Sequence, residues 1–223
     1  MNNMKKNPIL ILGSAFLGPL AYFSRFILGH KILVEQFDYY NKQSYRNRCV
    51  IMGPNKIQNL VIPVKKTSGS RTRMKDIKID YDTDWQRLHY HGIVSAYRSS
   101  PYFEHYFEDY QPFLTGKYKF LVDLNTEITG IVLQQLGLDP DFNLTEQYMR
   151  SNGEFLDLRD TIHPKKDPLN LPGFSWIEYK QVFSDRHGFI PNLSIIDLLF
   201  NLGPEAVLVL RSSTGTGKLK EGS

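Results

Sequence analysis

With 223 residues, 41% of them hydrophobic and 22% charged, the chain can bury one substantial core and is too apolar for a disordered protein. A single cysteine, Cys49, excludes an internal disulfide and fits a reducing compartment; its place in an apolar run marks a buried structural thiol rather than a nucleophile. The net charge of +4 conceals an asymmetry: residues 1–75 hold 13 Lys and Arg against two Asp and Glu, and the remainder holds 14 against 21. A basic first third can steer an anionic ligand or dock on the acidic rest of the same chain.

Met4-Lys5-Lys6 followed by Ile9 to Leu12 and Ala15-Phe16-Leu17 imitates a secretory signal. Pro19 and Arg25 interrupt the apolar run and no small-x-small cleavage site follows. The stretch reads as a buried strand and then a helix, in a cytoplasmic protein with no membrane span. Ile9 to Leu12 ends in Gly13-Ser14, as a buried strand does when it enters a turn. Leu20, Phe23 and Ile27 then recur at helical spacing over Leu20 to Leu28, with Gly29 as the stop. Ile32-Leu33-Val34 is a second strand, and strand, helix, strand over about thirty residues is the length of a βαβ unit. The loops Ser14 to Pro19 and Gln36 to Arg48 then open on one sheet edge, where α/β sheets bind ligands.

The second loop holds Lys42, Tyr45, Arg46, Asn47 and Arg48. Any one of these alone is a solvated surface residue. Together, two planar guanidinium forks, an ammonium, a phenol and an amide on a strand connection point to recognition of phosphate or carboxylate. If the backbone turns at Asn47, one arginine faces the ligand and the other pairs with an acid of the C-terminal two-thirds, such as Asp197.

Residues 49–64 give two more strands around Gly53-Pro54-Asn55, Lys65 to Lys75 is a basic connection, and Ile77 to Ile79 is extended. From Asp84, a candidate N-cap, the period becomes helical, with Trp85, Leu88/His89, Ile93 and Ala96/Tyr97 on one face. Ser100-Pro101 can start another helix, and Leu121 to Leu136, closed by Gly137, is the strongest one. Beyond it, Phe142 to Tyr148 and Trp176 to Phe183 read as extended, Asn152 to Lys166 as a charged loop, Ser194 to Phe200 as a capped apolar helix and Val207 to Leu210 as an edge strand. Residues 1–211 form a single domain, and 212–223, rich in Ser, Gly and Lys, a disordered tail.

Trp85 and His89 lie one helical turn apart. A histidine there is either a hydrogen-bonded member of an aromatic face or a proton-transfer group. His163-Pro164-Lys165-Lys166 is a surface turn or a second basic wall. His89-x-His91 points its rings apart on a helix, so no metal site is expected. The dinucleotide, nucleophile-elbow and zinc-protease motifs are absent, and no cofactor is named by any motif.

An ordered set of segments resembles the WbqC-like protein family. It comprises Phe16-Leu17-Gly18-Pro19, Tyr45-Arg46-Asn47-Arg48, Ile62-Pro63-Val64, Trp85-x-x-x-His89, Ala96-Tyr97, Ser100-Pro101-Tyr102-Phe103 and Leu193-Ser194 through Asn201-x-Gly203-Pro204. The resemblance implies a role in bacterial surface-polysaccharide (O-antigen) synthesis, with transfer of an amino acid such as glycine to an amino sugar. The opening is also similar to nucleotide-binding α/β ligases and nucleotidylyltransferases, which set phosphates against the first helix; their HxGH signature is missing, and Leu28-Gly29-His30 lies at the wrong end of the helix. The expectation is thus a single α/β domain with a partly parallel central sheet and a Rossmann-like or nucleotidylyltransferase-like opening, followed by a helical segment. It acts as a transferase or ligase on an anionic ligand such as a nucleotide sugar. Lys42, Arg46 and Arg48 hold the anion, Tyr45 and Asn47 orient it, Trp85 borders it, and His89 moves the proton. The alternative is a non-catalytic binder of anions or, less favoured, of nucleic acid through basic and aromatic residues.

Overall fold

Four short strands, all parallel to their neighbours, make the centre of the fold. In the computed structural model, which describes residues 8–66, 71–150 and 155–214, β1 (Ile9–Gly13) is covered on both faces, which is why Leu10, Ile11 and Leu12 form an unbroken apolar run. It is flanked by β2 (Ile32–Glu35), with Leu12 opposite Val34. A second sheet is the antiparallel hairpin of β3 (Arg48–Met52) and β4 (Ile57–Val61), with Cys49 opposite Leu60. β5 (Phe142–Leu144) extends the main sheet beyond β2, and β6 (Phe155–Asp157) pairs with the other side of β1. The order is β5-β2-β1-β6. The chain moves outward from β1 through β2 to β5 and then returns across β1, so the direction of winding reverses between β1 and β6.

The link from β1 to β2 is less regular than its apolar spacing predicts. α1 (Leu20–Phe23) stops after four residues because Ser24 Oγ turns back to donate to Ala21 O; a 3-10 turn, Phe26–Leu28, completes the connection to a left-handed Gly29. α2 (Trp85–Tyr97) buries Trp85, His89, Ile93, Ala96 and Tyr97 of the expected face but leaves Leu88 exposed, and Asp84 does not cap it; its carboxylate takes Arg87 instead. Two short helices, α3 (Phe103–Phe107) and α4 (Gln111–Thr115), lead to α5 (Leu121–Gln135), which ends at left-handed Gly137 as expected.

After the brief α6 (Ser184–His187) comes α7 (Ile195–Leu202), buried at every position but the last. Phe200 at its end meets Tyr97, Phe103 and Tyr110 edge-on, the geometry aromatic quadrupoles favour. A Cβ on Gly203 would come within 2.5 Å of the Tyr102 ring, and φ there is +56°, so only glycine fits. That contact joins two of the segments noted in the sequence.

Three expectations are corrected. Val207 to Leu210 is not an edge strand but part of α8 (Ala206–Ser213), because Ala206, Leu210 and Ser213 meet the core at helical spacing. Ser212 and Ser213 belong to that helix and Thr214 is its C-cap; residues 215–223 of the expected tail lie outside the described residues. The expected charged loop contains a strand, β6, beside residues 151–154, which are outside the described set; Trp176 to Phe183, read as extended, pairs with no strand. No helix among the described residues is long and apolar enough to cross a membrane.

Candidate functional site: the crevice between β1 and β6

At its C-terminal end β1 separates from β6, and a cavity of ≈ 20 Å³ opens there, lined by Gly13, Ser14, Arg46 and Arg159 among others. Reversal points of open α/β sheets are where such crevices form. Gly13 lies between the walls: a Cβ on it would stand 3.6 Å from Arg159 O and 3.7 Å from Arg46 Nη2, ordinary contact distances. Asn125, buried on α5, fixes the opening by donating from Nδ2 to Ser14 Oγ and to Arg46 O, each at 2.8 Å. The loops after β1 and β2 thus share one end of the sheet, as the strand-helix-strand reading requires.

The guanidinium of Arg46, 4% exposed, bonds Asp38 Oδ2 at 2.8 Å, and its Nε is buried with no partner. Its acid therefore comes from the basic first third, not from the acidic remainder. Asp197 instead accepts from Tyr179 Oη at 2.6 Å and Gln181 Nε2 at 3.0 Å inside the core. The left-handed residue of this loop is Gln43 (φ 60°), not Asn47.

Arg159 makes a bidentate pair with Asp157, Nε to Oδ1 at 2.9 Å and Nη2 to Oδ2 at 2.6 Å. Burial pushes the Asp157 carboxyl up, but the bonds from Arg159 outweigh it, and the net shift is downward. Behind the pair lies Glu35, 1% exposed. It accepts from Phe37 N at 2.7 Å, Met149 N at 2.8 Å and Thr145 Oγ1 at 3.0 Å, with Arg159 Nη1 at 3.5 Å. One carboxylate thereby ties together the loops that follow β2, β5 and β6. The first 75 residues hold only two acids, Glu35 and Asp38, and both serve this edge.

Of the remaining candidate residues Tyr45 also lines the cavity, and the others belong to the surface or the scaffold. Lys42 is exposed. Tyr45 is buried, its phenol pushed up to about 12 by burial, with Oη accepting from Asn192 Nδ2 at 3.4 Å. Asn47 clamps the start of β3: Nδ2 donates to Ile62 O at 2.8 Å while its own carbonyl accepts from Ile62 N at 2.8 Å. Arg48, half-buried opposite Val61, has no acid within salt-bridge distance among the described residues, and its Nε is buried without a partner. Cys49 is fully buried and its thiol is pushed up to about 12, so it is inert.

Trp85 and His89 do not line the cavity. The imidazole, 3% exposed, stacks on Phe16 at 5.7 Å between centroids and meets the Trp85 ring at 5.0 Å. Its Nε2 lies 3.1 Å from Val61 O, a contact that assigns the proton to that nitrogen. Burial lowers its pKa to about 4. His163, from the loop after β6, is held low by burial and then by Arg46, and it accepts from Lys165 N at 3.2 Å.

The first helix offers no free N-terminus. Leu20 N donates to Leu193 O and Ala21 N to Asn192 Oδ1, both at 3.2 Å, and Ser194 Oγ donates to Leu17 O at 2.7 Å. Amides that would face a phosphate are taken by the chain itself.

Three site residues escaped the sequence reading. Glu35 follows an apolar run directly and is one of two acids in a basic segment, a signal that was there to use. Asn125 is a polar residue on the buried face of a helix, flanked by Leu121, Leu124 and Ile128, which also marks a partner. Arg159 gave no signal once β6 was read as loop. Among the described residues no group of three or more His, Cys, Asp or Glu is placed to hold a metal ion.

Comparison with known proteins gives the chain a lineage. The sequence model of the WbqC-like protein family matches residues 14–164 and 169–209. An uncharacterized protein of Mycobacterium tuberculosis (strain ATCC 25618 / H37Rv), Rv1507c, is 23% identical over 235 residues, covering 93% of this chain and 98% of that one. No solved structure matches.

Proposed function

The chain belongs to the WbqC-like protein family, and on that premise we propose that it is a cytoplasmic transferase or ligase acting on an anionic, nucleotide-linked sugar in bacterial surface-polysaccharide synthesis. The observation that carries this reading is the crevice: two arginines, Arg46 and Arg159, line one small cavity at the sheet's reversal point, and Arg46 keeps a buried, unpartnered Nε–H. A buried donor without an acceptor costs about 1–3 kcal/mol, a cost that an entering oxyanion removes. Arg46 and Arg159 grip the anion, Asn125 and Glu35 fix their spacing, and Lys42 and Arg48 attract it from the rim. Tyr45 and Asn47 hold the loop, and Trp85 and His89 brace its back wall.

The family likeness supports glycyl transfer to an amino sugar as the reaction. There the sugar amine attacks the acyl carbon of an activated glycine, the donor's leaving group departs, and the nitrogen gives up a proton. His163, on the loop after β6 and held low by burial and then by Arg46, is the candidate to receive it. The seclusion of His89 favours a second reading, a protein that binds the anion without catalysis.

Calorimetric titration with a UDP-linked amino sugar tests the first step: micromolar binding lost in Arg46→Lys supports the proposal, and no binding by wild type refutes it. Mass spectrometry of reactions with an activated glycine then separates enzyme from binder by the presence of a glycyl adduct.

A further inference from the structure

The crevice is too small for a nucleotide. At ≈ 20 Å³ it takes about one water-sized group, so only the terminal oxygens of a ligand enter and the rest lies along the rim. Arg159, which lines the crevice, also carries an aromatic ring against its guanidinium. Tyr148 lies 5.1 Å from Arg159 Cζ, centroid to carbon, yet is 48% exposed. The backbone beneath it is anchored at both ends: Thr145 N donates to Val34 O at 3.0 Å, and Met149 N to Glu35 Oε2 at 2.8 Å. One side of the ring is thus backed by the guanidinium of an arginine that lines the crevice, and its support is fixed before any ligand arrives.

We propose that Tyr148 is a stacking platform for the planar base of a nucleotide whose terminal phosphate oxygens enter the crevice lined by Arg46 and Arg159, an inference that rests on the nucleotide reading above. Tyr39 is similarly exposed and backed by Arg71, but Arg71 does not line the crevice. Tyr148 alone couples ring and anion through one side chain. Stacking on an aromatic platform tolerates any base, because every base has a π-face. The platform therefore selects nucleotides over bare phosphates without choosing among bases.

The test measures binding of UDP, ADP and inorganic pyrophosphate by titration calorimetry to wild type, Tyr148→Ala and Tyr148→Phe. In wild type both nucleotides should bind about tenfold more tightly than pyrophosphate. Tyr148→Ala should abolish that advantage while leaving pyrophosphate affinity and melting temperature unchanged, and Tyr148→Phe should retain it. Pyrophosphate binding with no nucleotide advantage, or an equal loss for all three ligands in Tyr148→Ala, overturns the platform and leaves the anion site standing. Failure of all three to bind wild type overturns both.

Discussion

Glu35→Gln changes one atom and should unsettle three loops. The carboxylate presents one oxygen to Phe37 N and Thr145 Oγ1 and the other to Met149 N and Arg159 Nη1. An amide can keep its oxygen for one pair only, and in either orientation its NH2 faces a backbone N–H, that of Phe37 or of Met149. A buried N–H left unpaired costs about 1–3 kcal/mol, and a lost bond to a charged acceptor about 1.5–3. The Arg159 contact at 3.5 Å is too long to add a full ion pair, and Arg159 keeps Asp157. The expected loss is about 3 kcal/mol, which for a chain of this size lowers the melting temperature by roughly 6–12 °C. Urea unfolding at pH 7 and thermal melting both read it. A loss below about 1 kcal/mol would mean that the loops hold their positions without this carboxylate, and the description of the edge would be wrong.

Other perturbations separate scaffold from site. His89 binds its proton less tightly in the folded state (pKa about 4 against 6.5) because burial disfavours the imidazolium. Its contribution, on the order of 3 kcal/mol, is complete above pH 6.5 and lost as pH falls toward 4; an NMR titration giving a native value above 6 would contradict it. Arg46→Lys should lose about 1–2 kcal/mol through the pair with Asp38, and pyrophosphate binding with it. Arg48→Lys should leave stability within about 0.5 kcal/mol; equal losses in the two variants in urea unfolding would remove the distinction. Asp197→Asn should be neutral or stabilising at pH 7, because burial raises that carboxyl and an amide oxygen can still accept from Tyr179 and Gln181; a loss above about 2 kcal/mol in the same assay would show that the charge itself is needed.

The parallel core was legible because β1 and β2 are short apolar runs separated by the length of a crossover, and a strand buried on both faces needs no alternation. β6 was not, since Phe155-Leu156-Asp157 is three residues inside a charged stretch and is a strand only because β1 offers it an edge. The same failure hid Arg159, half of the crevice. Arg46 stood out as a cation among cations, yet its partner did not: charge counts place opposite signs in different thirds of the chain, whereas an ion pair depends on which loop ends where. Val207 to Leu210 misled because a short apolar run carries no period until its neighbours Ala206 and Ser213 are counted with it.

The stitching of Leu17, Leu20 and Ala21 to Asn192, Leu193 and Ser194 sets the order in which the molecule can be made. The bond from Ser194 to Leu17 spans 177 residues. At about 5–20 residues per second, the first strand and turn leave the ribosome roughly 10–35 s before the segment that completes them. During that interval Leu10 to Leu12 have β2 on one side and nothing on the other, and the Leu17 backbone has no reason to hold its left-handed φ of 41°. The crevice is therefore a late product of folding, closed only when both β6 and the Asn192 segment have come back to the oldest part of the chain.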